Sequence, residues 1–129
     1  MLTEKDYCDY ETCVALREVG CRIETEWYIH QPSYERGSCY LCFGIPRETA
    51  VLDECDYIPR LSLYEAQKWL REEKHLHIEV RWYCNMWYEY EVKEAEGKVI
   101  AEGSAFPTYE EALRTAVYMA TEHLKEMEE

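Results

Sequence analysis

Hydrophobic and polar positions along the chain repeat with two different periods, which separates helices from strands. In the C-terminal half, apolar residues recur at the spacing of an amphipathic helix over residues 62–74 and again over residues 108–127. Between them, residues 77–105 contain three strand-like runs. The first two alternate every second residue, and in the third Val99 and Ala101 compete with Ile100 for the inner face. The pattern therefore predicts a helix, three strands and a second helix in this half.

The N-terminal half carries a shorter version of the same patterns. Residues 9–20 have helical spacing, and Asp9 is placed to accept a hydrogen bond from the first free amides of that helix. Residues 23–29 alternate every second residue and residues 38–45 read as a partner strand, so we expect an antiparallel hairpin. No period continues through residues 46–59, which predicts a long surface connection.

Both C-terminal helices begin with the residues of a capping box. Ser62 with Glu65, and Thr108 with Glu111, have the spacing at which the hydroxyl accepts from one amide and the carboxylate accepts from another. The element order is then α-β-β-α-β-β-β-α. We predict one α+β domain over residues 1–129, with about three helices packed on one face of a mostly antiparallel sheet.

The net charge of the chain limits the classes of molecule that it can bind. The chain has 27 acidic and 14 basic residues, a net charge of −13, yet 47% of its residues are hydrophobic, so the charge lies on a folded body. A field of this sign repels phosphates and argues against direct binding to nucleic acid or to anionic membranes. No apolar run approaches the ~20 residues that a membrane-spanning helix needs, and the N-terminus lacks an export signal. We therefore expect a cytoplasmic protein with reduced cysteines.

Cysteine spacing offers one weak metal candidate. Cys39 and Cys42 have the CxxC spacing of zinc ligands, but no second CxxC pair follows, and on a regular strand these two residues point to opposite faces. We favour no metal and no cofactor, and keep a structural zinc domain as an alternative. The sequence has no phosphate-binding glycine loop and no nucleophile with an identifiable base, so we expect no catalytic activity.

Outward positions of the predicted strands combine carboxylates with aromatic rings. If the helices cover one side of the sheet, these side chains share one exposed face, which suits a protein partner with a basic surface. We therefore predict non-enzymatic protein binding. Capture of a small molecule or nucleotide signal by stacked Tyr and Trp rings is an alternative, and a solvated face or a homodimer interface also remains open. The candidate partner-binding residues are Glu24, Glu26, Tyr28, Glu79, Tyr83, Trp87, Glu89 and Glu91.

Three segments together resemble a known group of proteins. They are DYETCVALREVGC, IPRLSLYEAQKWLREEKHLHIEV and FPTYEEALRTAVYMATEHL. In this order they are similar to the EQA-x-x-LKELGF helix, the AP-T-x-x-QA-x-x-WLREK segment and the F-x-TYEEAL segment of small acidic proteins encoded by phages and prophages of gut Bacteroidetes bacteria. The resemblance covers roughly two thirds of the chain. It implies an accessory phage product in the cytoplasm of a bacterial host, where it would bind a host protein as an inhibitor or a nucleic-acid mimic, and it implies no catalytic residues.

Overall fold

A computed structural model of the protein describes residues 2–25, 27–30, 40–43 and 57–128. The described residues form three α-helices and six strands, and they confirm the α+β class. The elements are α1 (Tyr10–Glu18), β1 (Trp27–His30), β2 (Tyr40–Phe43), β3 (Tyr57–Pro59), α2 (Leu63–Glu73), β4 (His77–Tyr83), β5 (Trp87–Lys93), β6 (Val99–Phe106) and α3 (Tyr109–Glu128).

The six described strands pair in two antiparallel sheets of three strands each. Their orders are β2-β1-β3 and β4-β5-β6. β3 consists of the three residues 57–59 at the end of the segment expected to be a surface connection, and Ile58 pairs with Ile29 of β1. Ile58 is 4% exposed, so this short strand ties the end of that segment to the core. Residues 46–56 lie outside the described part of the chain.

The long helix α3 is the centre of the core. It contacts α1, α2 and all three strands of the β4-β5-β6 sheet. The apolar stripes expected on the helices are buried, with Leu16, Leu70 and Val117 each at 0% exposure. The helical spacing predicts a buried stripe on α3 that runs from Tyr109 to Met127. This prediction is wrong at both ends, because Tyr109 and Met127 are 37% and 69% exposed. The helices therefore bury one side of this sheet and leave its other side to solvent.

Buried cysteines hold the start of α1. Cys8 and Cys13 occupy the positions that pack together in a hydrophobic staple, the contact that fixes how a chain enters a helix. Cys13 Sγ lies 3.9 Å from the Cys8 carbonyl oxygen, and the Asp9 carboxylate accepts from the Thr12 amide at 2.8 Å. A hydrogen bond with Cys13, together with burial, raises the pKa of Cys8, and burial raises the pKa of Cys21. These free thiols serve as small apolar side chains.

The N-terminal residues 2–8 are fastened to the two later helices. The Tyr64 hydroxyl of α2 donates to Asp6 Oδ1 at 2.8 Å, and this bond to a carboxylate raises the pKa of Tyr64 to about 12. Arg114 Nη2 of α3 donates to the Lys5 carbonyl oxygen at 2.9 Å. Elements distant in sequence thus close the core on this side.

β6 contains a β-bulge near its start, where its pairing with β5 is irregular. Val92 pairs with Ala101, but the next residue of β5, Lys93, pairs with Val99, so Ile100 is an extra residue in the ladder. Ile100 and Ala101 both pack against the core, while Val99 is 41% exposed. Two consecutive residues therefore face the core, which a strict two-residue alternation does not allow.

A second bulge lies near the end of β6. Tyr90 pairs with Gly103 and Tyr88 pairs with Phe106, so one residue more is spent on β6 than on β5. Ala105, inside this bulge, has φ 69°. A Cβ atom at Gly103 would lie 2.6 Å from Cε1 of the Tyr90 ring, so only glycine lets this buried ring lie across β6.

Candidate functional site

The side of the β4-β5-β6 sheet that faces away from the helices is the candidate site. Side chains on it alternate with the core residues Val80, Tyr90 and Val92 along the same strands. We define this outer sheet face by the residues Glu79, Arg81, Tyr83, Trp87, Glu89, Glu91, Lys93 and Glu102. Five of the eight residues expected from sequence to bind a partner lie together here: Glu79, Tyr83, Trp87, Glu89 and Glu91.

Three carboxylates form a row across this face. Glu91 of the central strand pairs in register with Glu79 on one side and with Glu102 on the other. Like charges directly opposite each other on neighbouring strands destabilise a sheet, so this row needs cations nearby. Lys93 Nζ lies 3.4 Å from Glu79 Oε2 and 3.4 Å from Glu91 Oε2, and Arg81 forms an ion pair with Glu91.

Arg81 is occupied by its neighbours on the sheet. Besides its ion pair with Glu91, its Nη2 atom lies 3.5 Å from Glu89 Oε1. The hydrogen bond from Arg81 lowers the pKa of Glu91, and the same contact raises the pKa of Arg81. Glu91 therefore neutralises a cation of its own sheet, and Arg81 is not free to hold an anionic ligand. Glu102 has no ion pair within the described part of the chain.

Two stacked aromatic rings lie at the end of the outer sheet face that is nearest the β4-β5 turn. Tyr83 and Trp87 are cross-strand partners, and their ring centroids are 5.7 Å apart with an interplanar angle of 18°. Tyr83 is 47% exposed. Because the rings lie against each other, no gap separates them for a planar ligand, and a partner reaches only their outer surfaces.

The turn itself presents an apolar surface that sequence reasoning missed. We call residues 82–86 the hairpin tip, in which Trp82 and Met86 are 49% and 64% exposed. Cys84 and Asn85 both have positive φ, at 47° and 58°, as the centre of a primed hairpin turn requires. The signal was present in the sequence, because large apolar residues flank Cys84-Asn85 on both strands.

A pocket of about 500 Å³ opens on the outer sheet face between β5 and β6. Three carboxylates and one guanidinium contribute to its wall, so it favours a cationic group over a phosphate. Small-molecule capture stays a prediction. The residues that line this pocket are Arg81, Glu89, Tyr90, Glu91, Glu102, Gly103 and Ser104.

Of the other three predicted partner-binding residues, two are not part of this face and one falls outside the described residues. Glu24 is exposed in the irregular segment 21–25, because β1 begins at Trp27, four residues later than expected. The prediction that Glu24 lies on a strand is therefore wrong. Tyr28 lies in β1 and so belongs to the other sheet, and Glu26 falls outside the described residues. The alternation of residues 23–29 predicts a half-buried strand, but it does not determine which sheet that strand joins.

The two weak metal candidates fall only partly within the described residues. Cys39 lies outside them, and Cys42 belongs to β2. Among the described residues, no three His, Cys, Asp or Glu side chains lie close enough to hold a metal ion. The described helices also include none with the length and apolar character needed to cross a membrane.

Comparison of the whole chain with protein-family models, with curated proteins and with solved structures gives no match. The similarity to phage-encoded acidic proteins therefore stays a prediction from sequence motifs.

Proposed function

We propose that this chain is a non-enzymatic binding protein that recognises the basic surface of another protein through its outer sheet face. One observation carries the proposal. A row of carboxylates and a stacked Tyr83–Trp87 pair lie together on the side of the sheet that the helices leave exposed. Aromatic side chains supply rigid contact area, and carboxylates select Lys and Arg on the partner.

The carboxylate row explains how a cation from a partner would be bound. Glu91 is held by Arg81 and Lys93, but its two neighbours in the row are less satisfied: Glu79 is 50% exposed at its side chain, and Glu102 has no ion pair among the described residues. A Lys or Arg side chain placed at either end would relieve repulsion within the row. Binding then stabilises the sheet as well as the complex.

Net charge favours a protein partner over the alternatives. At −13, the molecule attracts cationic surfaces at long range and repels nucleic acid. Arg81, which would have to hold an anionic small molecule, is engaged by Glu89 and Glu91. Together with the resemblance to phage accessory proteins, this supports a host protein in a bacterial cytoplasm as the partner. Carboxylates spaced along a sheet would let the chain occupy a nucleic-acid groove as an inhibitor.

Reversing the two ends of the row tests the proposal. In Glu79→Lys with Glu102→Lys, the Arg81–Glu91 contact is kept and repulsion among the carboxylates of the row falls, which offsets the loss of the exposed Lys93–Glu79 ion pair. The fold should therefore be about as stable as the wild type. The matched control is Glu72→Lys with Glu73→Lys on the exposed side of α2, since both double variants change the net charge from −13 to −9. Glu91→Lys is a poorer choice because it would release Arg81.

The measurement is affinity capture from a bacterial lysate followed by native mass spectrometry, at about 0.1 M and about 1 M NaCl. We expect a basic protein to bind the wild type and the α2 control at the lower salt, and to be lost from Glu79→Lys with Glu102→Lys and at the higher salt. Equal capture by both double variants would rule out the outer sheet face. A bound organic ligand, or a homodimer with no further protein, would contradict the proposal.

A further inference from the structure

The hairpin tip exposes more apolar surface than the fold of the chain requires. Trp82, Tyr83 and Met86 are 49%, 47% and 64% exposed within a stretch of five residues. Successive residues of a strand point to opposite faces, so Trp82 and Tyr83 lie on the two sides of the tip. Soluble proteins seldom leave large apolar side chains exposed on both sides of a short projection unless it is an interaction site. Trp and Tyr are also the residues that most often dominate the energy of protein interfaces.

The tip is held in one conformation before any partner arrives. Trp82 Nε1 donates to Asn85 Oδ1 at 2.7 Å, and the Met86 amide donates to the Tyr83 carbonyl oxygen at 2.9 Å. The Trp82 ring packs on Tyr88, with ring centroids 4.6 Å apart. These contacts fix the Trp82 ring, and stacking on Trp87 fixes the Tyr83 ring. Binding would therefore order few additional side chains, which lowers the entropic cost of association.

Ring contacts toward the core support Trp82 and make the tip rigid. The Tyr88 ring contacts Tyr109 at the start of α3 edge to face, with centroids 6.0 Å apart. The chain of contacts therefore runs from Trp82 through Tyr88 to the helix at the centre of the core. A rigid aromatic projection of this kind is the form that an interface anchor takes.

Charge decides among the partners that an apolar projection could meet. Glu79 and Glu89 lie on the same hairpin, and the whole molecule carries −13. A second copy of this chain and an anionic membrane are both repelled by that charge. An apolar protein segment that carries Lys or Arg is attracted by it, and its cations can also lie over the exposed faces of Trp82 and Tyr83.

We infer that the hairpin tip is the anchor of the interface and inserts into an apolar segment of the partner that is flanked by Lys or Arg. This inference rests on the proposed function of the outer sheet face and assigns the larger share of the binding energy to the tip. The carboxylates then set the charge and the approach of the partner, and the rings hold it.

The test is selection of ligands from a random 16-residue peptide library displayed on phage, followed by titration of the enriched peptides in solution. We expect enriched peptides to combine apolar residues with Lys or Arg. Trp82→Ser with Met86→Ser should bind them at least about tenfold more weakly than the wild type. The matched control, Tyr118→Ser with Met119→Ser, removes two side chains of 40% and 38% exposure from α3 and should bind normally.

A second tip variant guards against loss of the hairpin. Met86→Glu alters only the most exposed of the three large apolar tip residues and keeps the Trp82–Asn85 hydrogen bond, and it should weaken binding in the same direction. Equal peptide binding by the wild type and both tip variants, or no enrichment at all, overturns the inference. So does tip-dependent binding to phosphatidylcholine vesicles or tip-dependent dimerisation of the free protein.

The charge variant separates this inference from the proposed function. If Glu79→Lys with Glu102→Lys loses the peptides while the tip variants keep them, the outer sheet face binds and the tip is not its anchor. If the tip variants lose the peptides while the charge variant keeps them at all salt concentrations, the acidic face is not a recognition surface and the proposed function fails.

Discussion

Ala105 occupies a backbone conformation that suits glycine, and this single residue sets the shape of the second bulge of β6. Its φ of 69° brings Cβ close to the following carbonyl, at a cost of about 1–2 kcal/mol for residues other than glycine. The bulge lets Tyr90 lie over Gly103 on the core side of the sheet. It also forms the edge of the pocket at Ser104.

Ala105→Gly should therefore stabilise the protein. The relief of backbone strain exceeds the added entropy of the unfolded chain, so the free energy of unfolding should rise by about 0.5–1 kcal/mol. The same substitution at Ala101, at a partly buried position of β6, should lower it by about 1 kcal/mol. Urea denaturation of both variants checks the pair. A loss of stability in Ala105→Gly would mean that residue 105 is not strained.

At the residue scale, the sequence predicts which side chains share a face of the sheet but not which of them form ion pairs. The pattern placed Glu79, Glu89 and Glu91 on one face, which the strand register bears out, because alternation along a strand is a local property. It gave no sign that Arg81 would be bound by two of those carboxylates, since that depends on which strand lies beside which.

At the scale of elements, the capping box of α2 is a contact that the spacing of two residues in the sequence predicts. The Ser62 hydroxyl accepts from the Glu65 amide at 3.0 Å, and Glu65 Oε1 accepts from the Ser62 amide at 3.0 Å. Helices of this length gain little from propensity alone, so a cap determines where they begin. α2 begins at Leu63, directly after the residue expected to cap it.

Ser62→Ala should lower the free energy of unfolding by about 0.5–2 kcal/mol, because the partly buried amide of Glu65 loses its acceptor. The control is Ser104→Ala, at an exposed position of β6, where a change within about 0.5 kcal/mol is expected. Thermal melts followed by circular dichroism give both values. Equal losses in the two variants would show that the cap does not stabilise α2.

Helices were easier to predict than strands for a physical reason. Caps and stripes are local, so the boundaries of all three helices fall within about two residues of expectation. Strand partners are chosen by tertiary packing, and neither β3 nor the division into two sheets leaves a local trace. The bulge at Ile100 also breaks the alternation on which the assignment of an inner face depends.

At the scale of the whole molecule, unbalanced charge opposes the compact state. The net charge of −13 is an excess of acidic side chains that stays unpaired even if every Lys and Arg forms an ion pair, as Lys93 does with Glu79 and Lys125 does with Glu18. Raising NaCl from about 0.1 M to about 1 M shortens the screening length from ~10 Å to ~3 Å. The melting temperature should rise over this range, because screening weakens repulsion among many charges more than it weakens a few exposed ion pairs.

The variant Glu79→Lys with Glu102→Lys, at −9, should show a smaller rise than the wild type. Differential scanning calorimetry at four salt concentrations provides the comparison. A melting temperature that falls with salt would mean that the ion pairs of the outer sheet face contribute more than the repulsion costs, and the carboxylate row would then be a stabilising device.

The fastening of the N-terminal segment also constrains the order in which the protein matures on the ribosome. Lys5 is held by Arg114, 109 positions later, and Asp6 by Tyr64, 58 positions later. At about 5–20 residues per second, roughly 5–20 s of translation separate the synthesis of Lys5 from that of Arg114. Until then α1 has no α3 to pack on, so the packing of α1 is completed only after the last of the three described helices has been made.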